Sequence, residues 1–233
     1  MDCINLCILR AINNNVAVLE RLQIQKFLIP IMTQIKVLVQ GYAIPLDKGW
    51  KASSTVCLIT TGDKKIITDP GCNREALLQA LSAEQLQTND IDYVFLSHYH
   101  PDHILLAGIF ENAKYITYDA DLMYEKDLMT EFNKHVLGND IEIVHTPGHV
   151  KQHLSLIVNT PKGKVAVAGD VVWWLDTEEQ QFNLHQPDHM QAIDMDMQAL
   201  VESRKLLLKH ADYIIPGHGK LFKVDKNILN DEN

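Results

Sequence analysis

Three imidazoles and a carboxylate fall within the six residues His98-Tyr99-His100-Pro101-Asp102-His103. Neutral imidazole together with carboxylate is the usual ligand set for zinc or iron. The apolar run Ile91-Asp92-Tyr93-Val94-Phe95-Leu96 leads straight into them, and a strand ending this way delivers its polar side chains to the rim of a sheet. On extended backbone His98 and His100 project to the same side and can share one cation. Asp102 and His103 are then free to face a second.

Four further residues stand in the same kind of place. Asp69, His149, Asp170 and His218 each follow an apolar run and each adjoins Gly or Pro, where the backbone turns and a side chain can enter a cleft. One histidine after a strand is more often a capped turn residue than a ligand; four such placements beside the first cluster reverse that judgement. The ligands divide into His98, His100 and His149 for one metal and Asp102, His103 and His218 for the other, with Asp170 able to bridge. Such a set keeps positions open, as a catalytic metal site requires.

The elements that must carry these residues are strand-rich. Ile35–Val39, Thr55–Thr60 and Lys65–Asp69 read as strands, the last two joined at Gly62-Asp63 as a hairpin. A helix is predicted over about 74–86, then the strand ending at the cluster, a helix over 103–110 and a strand at Tyr115–Tyr118. Residues 119–139 read as a polar, partly helical connection. Ile141–His145, Leu154–Val158 and Lys164–Ala168 read as strands, followed by an irregular stretch over 173–189. A long amphipathic helix over 190–210 and a last strand, Asp212–Ile215, complete the series. Twice a strand–helix series ends in His or Asp, which suits two similar β/α halves sharing one polar edge. Residues 1–31 read differently: a helix over 16–28 stopped by Pro30, and Met32 just before the first clear strand, suggest a dispensable extension and a domain over 32–233.

The chain has 233 residues, 46% of them hydrophobic and 22% charged, as in an ordinary folded domain with a sizeable core. A net charge of −9 argues against a generic nucleic-acid binder. Cys3, Cys7, Cys57 and Cys72 show no zinc-ribbon spacing, and reduced thiols in a cytoplasmic protein are the simplest reading. No apolar run reaches the roughly twenty residues of a membrane span, and Asp2 and Arg10 spoil a secretion signal.

His-x-His-x-Asp-His after an apolar strand, with Thr-Asp69-Pro-Gly, Thr-Pro-Gly-His149, Ala-Gly-Asp170 and Pro-Gly-His218-Gly, resembles the metallo-beta-lactamase superfamily over about residues 33–224. The resemblance implies an α/β fold, a four-layer αββα sandwich, with two zinc ions, or sometimes iron or manganese, at the edge between the sheets. It implies the metal roles given above, and for Asp69 the task of orienting a ligand. Val37–Ala43, Pro216–Gly219 and Phe222–Val224 resemble the group called metallo-beta-lactamase domain-containing protein 1, which has been linked to RNA 3′-end processing. Lactamase activity is not expected, because the zinc lactamases nearest in ligand count place a cysteine where this chain has Asp170.

Two cations about 3.5–4 Å apart lower the pKa of a shared water toward about 7. The expected function is therefore hydrolysis of an ester-type bond (phosphodiester, thiolester or lactone) by a bridging hydroxide, with Asp102 and Asp170 as the catalytic carboxylates. Asp102 could pass a proton to the leaving group. The alternatives are RNA cleavage, persulfide oxidation at a single iron, and metal binding without turnover. The partner expected is a small-molecule or RNA substrate, with no membrane and with room for a homodimer. Tyr42, Trp173, Trp174 and Lys220 are the candidate substrate contacts. His153 reads as a histidine bonded to backbone, and His185 and His189 as solvated. His135, His145 and His210 have no ligand context.

Overall fold

The computed structural model describes residues 32–118, 122–190 and 193–229. The helix and the dispensable extension expected before Met32 lie outside these residues.

Fourteen strands and three α-helices are described. β1 (Gln34–Val39) precedes a small hairpin, β2 (Tyr42–Pro45) with β3 (Trp50–Ser53). Next come β4 (Val56–Thr61), β5 (Lys64–Thr68), α1 (Arg74–Ala83), β6 (Tyr93–Phe95), α2 (Pro101–Ile104), β7 (Lys114–Ile116), β8 (Leu122–Glu125) and β9 (Leu128–Glu131). The second half holds β10 (Ile141–His145), β11 (Leu154–Thr160), β12 (Gly163–Val167), α3 (Met197–His210), β13 (Tyr213–Ile215) and β14 (Phe222–Lys223). They build a seven-stranded sheet in the order β1-β4-β5-β6-β7-β8-β9 and a five-stranded sheet in the order β10-β11-β12-β13-β14.

Each sheet is apolar on both faces, which is why its central strands read as near-continuous hydrophobic runs. Along β4 and β5, Cys57, Ile59 and Ile66 face the other sheet, while Val56, Leu58 and Ile67 pack with Leu77 and Leu81 of α1. Along β11 and β12, Leu156, Val158, Val165 and Val167 face the first sheet, while Ile157 and Ala166 lie under Leu200, Leu207 and Leu208 of α3. Period-two alternation thus feeds three apolar layers and gives the expected αββα sandwich.

The two halves share one topology. In the first, β4 and β5 form a hairpin across Gly62-Asp63 and β6 then pairs parallel to β5 after α1. In the second, β11 and β12 form a hairpin and β13 pairs parallel to β12 after α3. A parallel neighbour needs a crossover helix, so the end of each third strand, and the polar residues after it, arrive at the same edge.

Five expectations differ from what forms. The strand over Asp212–Ile215 is not the last, since β14 follows and pairs antiparallel to β13. The β2–β3 hairpin forms between Val39 and Thr55, where no strand was expected. The segment read as partly helical supplies β8 and β9, with one helical turn at Lys134–Leu137, because pairing of Tyr124 opposite Tyr115 extends the sheet edge. The helix expected over 103–110 is a short turn over Pro101–Ile104, begun by proline, and a separate turn at Ala107–Ile109. Finally, α3 starts at Met197 rather than 190, because Asp196 caps it by accepting from the amides of Gln198 and Ala199. No helix among the described residues is long and apolar enough to cross a membrane.

Candidate metal centre

The polar residues at the strand ends converge. His98, His100 and Asp102–His103 follow β6; His149 follows β10, Asp170 follows β12 and His218 follows β13. Two groups form, His98, His100 and His149 with Asp170, and Asp102 with His103 and His218. In the first, His100 Nδ1 lies 2.9 Å from His98 Nε2 and 3.0 Å from His149 Nε2. In the second, Asp102 Oδ2 is 3.2 Å from His218 Nε2 and 3.9 Å from His103 Nε2. Asp170 spans both: Oδ2 is 3.5 Å from His149 Nε2, and Oδ1 is 3.2 Å from His103 Nε2 and 3.6 Å from His218 Nε2.

The far nitrogens of four imidazoles are anchored, and the anchors decide the tautomers. Asp69 accepts from Ser97 N at 2.7 Å and from Ser97 Oγ at 2.6 Å, and takes His103 Nδ1–H at 3.0 Å. Ser97 Oγ, whose hydrogen is directed at Asp69, accepts from His98 Nδ1 at 2.9 Å. His149 Nδ1 donates to Asp188 Oδ2 at 2.7 Å, and His218 Nδ1 to the carbonyls of Tyr42 and Ser53 at 3.0 and 3.1 Å. Each of the four therefore turns Nε2 toward the centre, the arrangement by which outer partners hold ligand imidazoles. Asp69 carries this load at φ 37°, left-handed backbone unusual for a residue with a side chain.

The glycines of the motifs make room for the carboxylate. A Cβ on Gly217 would lie 1.9 Å from Asp170 Oδ1. Gly169 has φ 52°, and a Cβ there would meet His153 Nε2 at 2.7 Å. His153 accepts from the Asp170 amide at 3.3 Å and donates through Nδ1 to Thr146 Oγ1 at 2.9 Å, so it holds the Asp170 backbone, in line with the backbone role expected for it. Burial pushes its pKa down to about 3.

Charge in the cluster is unevenly spread. Burial lowers the pKa values of His98 and His100, leaving neutral imidazoles suited to ligation. Burial also opposes charge on His103 and His218, but Asp170 and its neighbours outweigh it, holding His103 well above its usual range and His218 up to about 9. Asp170 is held well below the carboxylate range, its burial outweighed by His103 and His218. The second group thus demands positive charge. His103 Nε2 and Asp170 Oδ1 are moreover buried 3.2 Å apart and make no well-aligned hydrogen bond among the described residues, a state that a cation held by both would relieve. The donor set fits two metal ions.

A cleft of about 320 Å³ opens over the cluster, lined in part by Trp50, Trp173, Leu105 and Met190 beside Asp102, Asp170 and His218. Trp173 is buried, its ring meeting those of His149, His218 and His189 edge-on. The other substrate candidates are placed elsewhere. Trp174, next in chain, turns the opposite way, into the core with Phe222 at 5.6 Å. The Tyr42 hydroxyl accepts from the Asn73 amide at 3.4 Å, and Tyr42 serves the cluster through its carbonyl; Ala43 lines the cleft in its place. Lys220 is exposed outside the cleft, its amide and carbonyl both held by the Gln180 side chain. His189 is half-buried against Trp173 with Glu178 at 2.8 Å rather than solvated, whereas His135, His145, His185 and His210 are exposed. Asp188 and Trp50 were not foreseen. Both lie in segments without periodicity; the Pro187-Asp188-His189 sequence is the only local signal.

The model of the metallo-beta-lactamase superfamily matches residues 50–118. Metallo-beta-lactamase domain-containing protein 1 of Mus musculus is 31% identical over 226 residues, covering 82% of this chain and 84% of its own length. Among solved structures, tm0894 of Thermotoga maritima has a TM-score of 0.61 at 21% identity, covering 82% of this chain and 99% of its own. AidC, a dizinc quorum-quenching lactonase, has a TM-score of 0.54 at 18% identity, covering 72% and 74%. Fold, cluster and a relative of matching length agree: the chain belongs to the metallo-beta-lactamase superfamily of metal-dependent hydrolases, alongside metallo-beta-lactamase domain-containing protein 1.

Proposed function

We propose that this hydrolase holds two zinc ions and cuts an ester-type bond in a small molecule with an apolar body, a thiolester or lactone before a phosphodiester. The observation that carries the two-metal reading is Asp170, with one oxygen toward His149 and the other toward His103 and His218. His98, His100 and His149 would hold one ion, Asp102, His103 and His218 the other, and Asp170 would serve both. Such a pair, when bound, lowers the pKa of a water and neutralises charge developing on a substrate oxygen.

The chain's own residues supply the rest. Trp50, Leu105 and Met190 stay 47%, 66% and 40% exposed at the mouth of the cleft, and apolar surface left open around polar ligands suits an apolar substrate body. Among the described residues that line the cleft there is no lysine or arginine, whereas a polynucleotide backbone is held mainly by such cations. Asp102 is partly exposed there, its side chain at 27%, so its carboxylate can carry a proton between the cluster and a leaving group.

The test is zinc content per chain measured beside turnover of thiolester, lactone, phosphodiester and RNA substrates. Two zinc ions per chain, thiolester or lactone turnover, and loss of both in Asp170→Ala are expected. Full turnover by Asp170→Ala would refute the two-metal reading, and turnover confined to RNA would refute the substrate class. One iron per chain with oxygen consumption would mark a dioxygenase instead.

A further inference from the structure

Asp188 belongs to none of the motifs, yet its carboxylate is fully buried beside the cluster. Its Oδ2 accepts His149 Nδ1–H at 2.7 Å, with Trp173 Nε1 at 3.5 Å, and its Oδ1 accepts the Met190 amide at 2.8 Å. Trp173 and Met190 are walls of the cleft. One side chain thus ties the orientation of an imidazole in the cluster to the surface against which a substrate would lie.

The strap that carries Asp188 is pinned from below. Arg204 of α3 is buried and donates to the carbonyls of Leu184 and Gln186 at 3.0 and 2.6 Å, and to that of Val171 at 3.0 Å. The guanidinium therefore holds the strap two residues before Asp188 and the chain one residue after Asp170. A forked, planar donor can satisfy three carbonyls at fixed angles where a lysine could not. The position of Asp188 is set by this rather than by a strand.

We propose that Asp188 is a positioning residue of the His98, His100 and His149 group, acting through His149 and joining that group to the cleft wall at Trp173 and Met190. The proposal rests on the two-metal reading. A carboxylate on the far nitrogen fixes the tautomer with Nε2 inward and makes that nitrogen a better ligand. Asp69 does the same for His103, so each group has one imidazole braced by a carboxylate, the first group's from outside the motifs and the second group's from inside one.

Zinc binding to the metal-free full chain, read by competition with a chromophoric chelator, tests this without reference to turnover. The wild type is expected to take two zinc ions. Asp188→Ala should weaken one of them by about 10–100-fold and leave the other unchanged. In the isosteric Asp188→Asn the amide oxygen can still accept His149 Nδ1–H, but its NH2 group then opposes the Met190 amide, so an intermediate loss is expected. In a His149→Ala background, Asp188→Ala should cost nothing further, an outcome that a merely structural role would not produce. Affinity equal to wild type in both Asp188 variants, or the same loss with and without His149, would overturn the proposal. A wild-type chain that takes up no zinc would overturn the reading beneath it, and the proposal with it.

Discussion

Ser97 Oγ–H donates a hydrogen bond to Asp69 Oδ2 at 2.6 Å, so the same oxygen accepts from His98 Nδ1. One carboxylate therefore settles two imidazoles, His103 directly and His98 through a hydroxyl. The cluster is organised from outside inward, and its chemistry depends on residues that never face the cleft.

The two neighbouring roles of tryptophan separate cleanly. Trp174→Ala empties a core position and should cost about 3–5 kcal/mol of stability, with kcat and KM unchanged in the protein that remains folded. Trp50→Ala, at the half-exposed mouth, should leave the urea midpoint nearly unchanged and raise KM for an apolar thiolester by about tenfold. Equal KM in wild type and Trp50→Ala would remove Trp50 from the substrate surface.

Two described thiols should differ in reactivity. Cys57 is wholly buried, and burial pushes its pKa up to about 12. Cys72 is half-buried and lines the cleft. Iodoacetamide at pH 8 should label Cys72 and spare Cys57 in the folded chain, and label both in denaturant, as peptide mass mapping reads directly.

Acid should loosen the protein through His153. An unfolded histidine takes its proton near pH 6.5, whereas burial holds this one down to about 3. Between those values the unfolded chain binds more protons, so stability is present above about pH 6.5 and falls as pH drops toward 3. With chelator present to remove metal effects, the urea midpoint should decline across that window, and His153→Gln should flatten the decline. An unchanged slope in the variant would show that His153 is not its source.

The lysines after His218 divide by the same logic. Lys226 Nζ donates to the carbonyls of Leu208 and Ala211, the unpaired end of α3, so Lys226→Ala should cost about 1 kcal/mol in a denaturation curve and leave turnover alone. Lys220→Ala should change neither. Lost turnover in Lys220→Ala would restore that residue as a substrate contact.

The strand order and the convergence of the cluster were legible because each polar residue stands at the end of an apolar run, beside a residue that turns the chain. Asp188 was not, because its place is set by Arg204 and the strap, which leave no period in the sequence. Trp173 and Trp174 show a second limit: adjacent residues point opposite ways, and the sequence alone does not say which enters the cleft. The β8–β9 hairpin shows a third, since its pairing partner in β7, and not its own composition, makes it extend.

The strand ends place Asp69, His98, His100, Asp102 and His103 on one sheet, and His149, Asp170 and His218 on the other. Neither sheet alone owns a complete ligand set. Two ions lodged there would act as rivets across the seam of the sandwich, so cohesion between its halves and loading of the centre become one quantity. A chelator would then loosen the join as well as empty the centre.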